Sequence, residues 1–148
     1  MIRRDLVQRK ISLIQDELVN LRQFETMTIH DIATDFLKQN ALERILEKII
    51  NRAIDINTHI ISELAKETTS PPKDYRDTFL RLADFGLYPN EFAKEIAKSV
   101  GTRNILAHEY ESVDQKVIYD SMGGCLRDYR KYCDFILKFL DEKSSEQI

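Results

Sequence analysis

The stretch from about residue 30 to residue 66 constrains the fold most. It contains no glycine and no proline. Its apolar residues fall in two stripes at helical spacing: Leu42, Ile45, Ile49, Ala53, Ile56 and Ile60, and then Leu46, Ile50, Ile54, Ile61 and Leu64. A helix of this length spans roughly 55 Å. Apolar residues on more than one face mean that neighbours wrap it, as in the central member of a bundle. Arg44, Asp55, Asn57 and His59 interrupt the stripes. Asp55 and His59, four residues apart, are close enough to pair.

The rest of the chain supplies the neighbours. Residues 2–24 carry Val7, Ile11, Ile14, Leu18 and Leu21 on one face, the pattern of a packed helix. A short break at Thr26–Thr28 follows, where Thr28 and Asp31 have the form of a capping box with Asp in place of Glu. Thr68-Thr69-Ser70-Pro71-Pro72 is a loop, because the prolines cannot continue a helix. Asp74 caps a short helix containing Phe79, Leu82 and Ala83, which Gly86 ends. Pro89 and Asn90 open a helix over about 91–110. Ser112 or Asp114 caps a last helix to about residue 141, with Val117, Ile118, Met122, Cys125, Leu126, Tyr129, Cys133, Ile136 and Leu140 inward and Gly123-Gly124 as a candidate bend. Residues 143–148 read as a frayed tail. The expected architecture is all-α: an up-and-down bundle of four to five helices around one long central helix, in a single domain over residues 1–148.

Composition narrows the function classes. Hydrophobic residues at 43% and charged residues at 32% of 148 exclude global disorder. Four glycines and three prolines leave few turns for an all-β fold. No apolar run approaches a membrane span and the first residues lack a secretory signal's apolar core, so a cytoplasmic protein is expected. Cys125 and Cys133 lie roughly 12 Å apart along one helix and cannot bridge within it; buried reduced thiols are expected. A net charge of −3 argues against a general nucleic-acid coat protein, and no DNA partner is expected, yet it leaves room for an RNA-acting enzyme with a local basic site. Arg127, Arg130 and Lys131 form one such small patch, read as a solvated face or as an RNA-backbone contact.

The chemistry concentrates in Arg103-Asn104-Ile105-Leu106-Ala107-His108-Glu109-Tyr110. Upstream, Phe92, Ile96 and Val100 recur every four residues as an inward stripe. Continued at about 100° per residue, that stripe meets Arg103, Asn104, Ala107 and Tyr110, with His108 at its edge. Such groups require a satisfied internal network or a cleft, and the cleft is the sharper reading. Gly101, inside the helix before Arg103, marks a close approach of another backbone or a ligand. No Cys/His cluster has zinc spacing, and neither a phosphate-binding glycine loop nor the carboxylate set of a two-metal nuclease is present, so no metal and no cofactor is expected. An arginine and a histidine with an amide beside them suit phosphodiester cleavage. The guanidinium stabilises the charge of a pentacoordinate transition state, and the imidazole moves the proton. Asn104, one turn before His108, is placed to orient the imidazole or to contact the phosphate. One copy supplies a single histidine, whereas a two-fold dimer supplies both an acid and a base. The spacing alone leaves a purely structural network open.

The same residues, Arg103 to Tyr110, resemble the Arg-x4-His-x-Tyr signature of the HepT toxins, HEPN-family proteins paired with an MNT-type nucleotidyltransferase antitoxin. The resemblance extends through Leu42-Glu43-Arg44-Ile45-Leu46, Ile54-Asp55-Ile56-Asn57-Thr58-His59-Ile60-Ile61 and Pro72-Lys73-Asp74-Tyr75-Arg76-Asp77-Thr78-Phe79, and so covers essentially the whole chain. Ala107 departs mildly, where many relatives carry a larger apolar residue. The resemblance implies a HEPN helical bundle, a homodimer (possibly a higher assembly with the antitoxin) and a metal-independent endoribonuclease toxin with tRNA a first candidate substrate. It carries Arg103, Asn104 and His108 over as catalytic, and Tyr110 as the tyrosine to which the antitoxin transfers AMP. AMP there would fill the groove and compete for Arg103. The alternative is a non-catalytic HEPN module that binds nucleotide, RNA or a protein partner.

Overall fold

The central helix is divided near its start. In a computed structural model, which describes residues 1–108 and 113–146 with side chains as far as residue 143, a short α2 (Ile29–Ala33) precedes the long α3 (Phe36–Leu64), after α1 (Arg4–Arg22). Both starts are chemically marked. Thr28 Oγ1 accepts from the Asp31 amide at 3.1 Å while Asp31 accepts from the Thr28 amide at 3.0 Å, the expected capping box. Asp35 then accepts from the Leu37 and Lys38 amides at 3.0 and 3.2 Å. A second cap so soon after the first ends one helix and begins another, so the single helix expected from residue 30 becomes two.

After the proline loop come α4 (Tyr75–Asp84), α5 (Asn90–Ala97), α6 (Ser99–Ala107) and α7 (Gln115–Glu146). Asp74 caps α4 by accepting from the Asp77 amide at 2.8 Å. Gly86, at φ +86°, closes it: its amide bonds to the Ala83 carbonyl and that of Leu87 to the Leu82 carbonyl, the paired bonds of a Schellman turn. Asp114 caps α7 through the Lys116 amide at 3.0 Å, and Ser112, the other candidate, lies outside the described residues. The last helix runs unbroken through Gly123-Gly124 and continues to Glu146, so the expected end at residue 141 and the frayed tail from residue 143 are both too early.

The described residues are helical with no strand. Helix α3 packs against α1, α2, α4, α6 and α7, which accounts for its two apolar stripes. Leu42, Leu46, Ile49, Ile50, Ala53, Ile56 and Ile60 are buried with Val7, Ile11, Ile14 and Leu21 of α1 in one core. On α7 the expected inward residues are buried except Val117. That residue stands in the first turn, where Ile118 takes the inward position. Tyr132, Phe139 and Asp128 are buried in addition.

Three polar interruptions of α3 turn out to be structural. Asn57 is fully buried: Tyr132 Oη donates to its Oδ1 at 2.6 Å, and its Nδ2 donates to Thr78 Oγ1 at 3.3 Å. Thr78 Oγ1 in turn donates to the Tyr75 carbonyl at 2.6 Å. Asp55 and His59 do not pair with each other. Lys10 Nζ reaches Asp55 at 3.2 Å and the Arg3 amide donates to His59 Nε2 at 3.0 Å, so both tie α3 to the N-terminal segment. Cys125 and Cys133 are buried free thiols, each pushed up to about 12 chiefly by burial.

Candidate active site

The motif helix expected over about 91–110 is two helices and ends at Ala107. Between α5 and α6 the backbone tightens at Lys98: the Lys98 amide bonds to the Glu95 carbonyl and the Gly101 amide to the Lys98 carbonyl, both three residues back. Such a turn advances about 120° per residue instead of about 100°, adding roughly 60° over three residues. The inward face of α6 therefore falls earlier than a continuous helix predicts, at Val100, Thr102 and Leu106. Arg103 is half-buried, and Asn104, Ala107 and His108 are exposed. The polar groups thus lie on a surface beside the core, not on the inward stripe, and the desolvation argument for an enclosed cleft falls away.

Arg103 is nevertheless held. Its Nε donates to Asn51 Oδ1 of α3 at 3.1 Å, and its guanidinium carbon lies 4.9 Å from the centre of the Tyr75 ring, a cation–π contact. Among the described residues, neither terminal nitrogen of Arg103 has a hydrogen-bond partner. The edge of the guanidinium that binds two oxygens of a phosphate or carboxylate is left open, while the rest of the group is fixed by α3 and α4.

A cavity of about 360 Å³ is lined by Asp74, Tyr75, Arg76, Val100 and Asn104; Arg103 does not line it and is linked to it through the Tyr75 ring. Asn104 thus reaches the same recess from α6. Gly101 makes a close approach possible, as the sequence suggests, but the neighbour is a side chain: a Cβ on Gly101 would sit 3.3 Å from Arg76 Nη2. His108 is the C-cap of α6 at φ −88°, ψ 78°, its amide bonded to the Ile105 carbonyl at 3.3 Å. Five residues of helix turn the backbone positions of Arg103 and His108 about 140° apart around the axis. Tyr110 lies outside the described residues.

Asn51, Tyr75 and Arg76 carry no role in the sequence reading. Tyr75 and Arg76 belong to the stretch that carries the family resemblance, and this was the available signal. Asn51 had none beyond being an amide among isoleucines. The basic patch on α7 is partly spent on carboxylates: Arg127 Nε meets Asp128 at 3.0 Å and its Nη2 meets Glu95 at 3.5 Å. Among the described residues no helix is long and apolar enough to cross a membrane.

Comparison with known proteins places this geometry. Residues 14–136 match the family described as ribonuclease HepT-like. The chain is 33% identical over 137 residues to the tRNA nuclease HepT of Aphanizomenon flos-aquae, covering 91% of this chain and 90% of that one. It is 28% identical over 102 residues to the mRNA nuclease HepT of Shewanella oneidensis, covering 69% and 74%. Among solved structures, the tri-AMPylated HEPN toxin of Shewanella oneidensis in complex with its MNT antitoxin is similar with a TM-score of 0.76 at 25% identity, over 90% of this chain and 98% of that one. A cytosolic Bacillus subtilis protein of unknown function, YutE, shares the fold with a TM-score of 0.80 at 18% identity, over 96% and 93%. The chain belongs to the ribonuclease HepT-like family of all-α HEPN proteins.

Proposed function

We propose that this chain is the toxin of a HEPN/MNT toxin–antitoxin pair and cleaves RNA without a metal, by attack of a 2′-hydroxyl on the adjacent phosphorus. The observation that carries the reading is the anchored Arg103 guanidinium, whose two terminal nitrogens have no partner among the described residues. A fixed bidentate donor beside a recess matches the two non-bridging oxygens on which charge grows in the transition state. In the step itself the 2′-oxygen bonds to phosphorus and the bond to the 5′-oxygen breaks. The 2′-hydroxyl proton passes to a base, and the leaving 5′-oxygen takes a proton from an acid. The products are a 2′,3′-cyclic phosphate and a 5′-hydroxyl.

His108 is the group for proton transfer, and Asn104 is the second donor to the phosphate. Because Arg103 and His108 diverge around one helix, the complete site is composite: a two-fold dimer brings two α6 helices to one groove, with a histidine from each side as acid and base. Transfer of AMP to Tyr110 by the MNT partner places bulk and negative charge at the end of this segment, where it competes for Arg103. The substrate is transfer RNA, as in the relative that aligns over the greater share of both chains. The setting is cytoplasmic, where both RNA and antitoxin are found.

The test is incubation of purified protein with total cellular RNA in excess EDTA, beside Arg103→Ala and His108→Ala. Cleavage that survives the chelator, leaves cyclic-phosphate ends and falls at least about 100-fold in both variants is the expected result. Folded, dimeric variants that cleave as well as wild type would overturn the assignment.

A further inference from the structure

Apart from Asn104, the cavity next to Tyr75 has a lining that the cleavage chemistry does not use. Arg76, from the first turn of α4, is exposed, and among the described residues it forms no hydrogen bond and no ion pair. Yet it is not splayed into solvent. Its Nη2 lies against the backbone of Gly101, close enough that a side chain there would be crowded. Arg103 lies over the ring of Tyr75, and Arg76 lines the same recess as that tyrosine. Asp74 also lines the recess; among the described residues it forms no ion pair with either arginine, and one of its oxygens caps α4 at 2.8 Å. Tyr75 remains 45% exposed, an unusual state for a large ring at the edge of a core, and its ring lines the recess together with Val100.

We infer that this recess is a nucleotide subsite: it takes the nucleotide next to the scissile phosphate, with the base stacked on Tyr75 and that nucleotide's own phosphate on Arg76. A volume of about 360 Å³ is of the size that holds one nucleotide. Aromatic faces accept any base, because every base has a π-face to stack. An arginine without a carboxylate partner supplies a two-pronged grip on phosphate that a lysine cannot reproduce. Asn104, on the same wall, is the amide available to a sugar or phosphate oxygen. Gly101 leaves room for the tip of Arg76 on this side of α6: a Cβ there would sit 3.3 Å from its Nη2, which would have to shift by a few tenths of an ångström. The subsite positions the strand and takes no part in moving protons. It rests on the RNA-cleaving reading for its ligand, and tests of the two can be separated.

The experiment measures anisotropy of a labelled short RNA with 2′-O-methyl sugars throughout, which binds but cannot be cleaved by 2′-hydroxyl attack. The proteins are wild type, Arg76→Ala, Arg76→Lys, Tyr75→Phe and Tyr75→Leu, each checked by its melting curve. Arg76→Ala is expected to weaken binding about tenfold at low salt and to reduce the slope of log affinity against log salt by about 0.7, the value for one single-strand phosphate contact. Arg76→Lys should restore the slope but only part of the affinity. Tyr75→Phe should bind as wild type and Tyr75→Leu at least about fivefold more weakly. Arg76→Ala and Tyr75→Leu proteins that melt normally and bind with wild-type affinity and salt slope would overturn the subsite, as would a wild-type protein that does not bind the RNA. Cleavage of unmodified RNA is assayed in parallel. Loss of binding in the variants of a wild type that binds yet never cleaves would refute the nuclease reading and leave the subsite standing.

Discussion

Asn51 has no chemistry of its own in the proposed reaction, yet it touches the arginine assigned to the phosphate. Its Oδ1 takes the Nε–H of Arg103 at 3.1 Å, which fixes the rotation of the guanidinium and leaves its outer edge for the ligand. Asn51→Ala removes that restraint while Tyr75 still covers one face. We expect kcat to fall about tenfold, the loss of roughly one positioning hydrogen bond, with KM changed less and the melting temperature unchanged. Asn51→Asp keeps an acceptor at the same atom and should retain more of the activity than Asn51→Ala; equal losses in the two would mean that the contact does not position Arg103. Of the proposed site, the sequence could single out Arg103, Asn104 and His108, because their residue types and spacing are local. It could not show Asn51, Tyr75 or Arg76. Asn51 and Tyr75 lie 52 and 28 positions from Arg103 in the chain and meet it only once three helices have packed, and Arg76 reaches α6 at Gly101.

Among the elements, α3 and α6 mark the limits of periodicity as a guide. The stripes of α1 and α3 were legible because each helix holds one phase from end to end. The motif helix was misread because its phase jumps at Lys98, where one tight turn rotates everything beyond it. Ser99 stands at that turn, its Oγ bonded to the Ile96 carbonyl at 2.7 Å and to Tyr129 Oη of α7 at 2.7 Å; a lone serine is too common in helices to announce it. The other element-level device is Asn57, which joins α7 to α3 and α3 to α4 through Tyr132 and Thr78. Asn57→Ala leaves a cavity and removes two buried hydrogen bonds, while Tyr132 Oη keeps the Ala53 carbonyl at 3.2 Å and Thr78 Oγ1 the Tyr75 carbonyl. It should cost about 3 kcal/mol and lower the melting temperature by about 10 °C. Tyr132→Phe should cost about 1 kcal/mol. Thermal unfolding followed by circular dichroism checks both. A neutral Asn57→Ala would mean that the apolar packing of the three helices suffices without the amide.

For the whole molecule, the contents of the core set a pH limit. Burial pushes the thiols of Cys125 and Cys133 up to about 12 and raises the hydroxyls of Tyr88, Tyr129 and Tyr132 above their ordinary range. A group that ionises later in the folded than in the unfolded chain holds its proton preferentially in the fold. Its contribution is full below the unfolded value, near 9 for the thiols and 10 for the phenols, and is lost as pH rises toward the folded one. Stability should be flat from about pH 6 to 8 and fall steeply above 9, by up to about 1.4 kcal/mol per pH unit for each group. Urea midpoints at pH 7, 9 and 10.5 measure this; an unchanged midpoint at pH 10.5 would contradict the burial of these five groups. The all-α class and the central helix were legible at this scale from scarce glycine and proline and from two-sided apolar patterning. The ring cluster of Phe79, Tyr88, Tyr129 and Tyr132 was not, since Tyr132 stands outside the stripe that the other α7 residues define.

The ring of Tyr75 beneath Arg103 has an optical consequence. The chain contains six tyrosines and no tryptophan, so its native emission reports no single place. Tyr75→Trp would put the molecule's sole indole against the Arg103 guanidinium, at a position half open to solvent. Its wavelength would then follow the filling and emptying of that recess in real time, against a dark background.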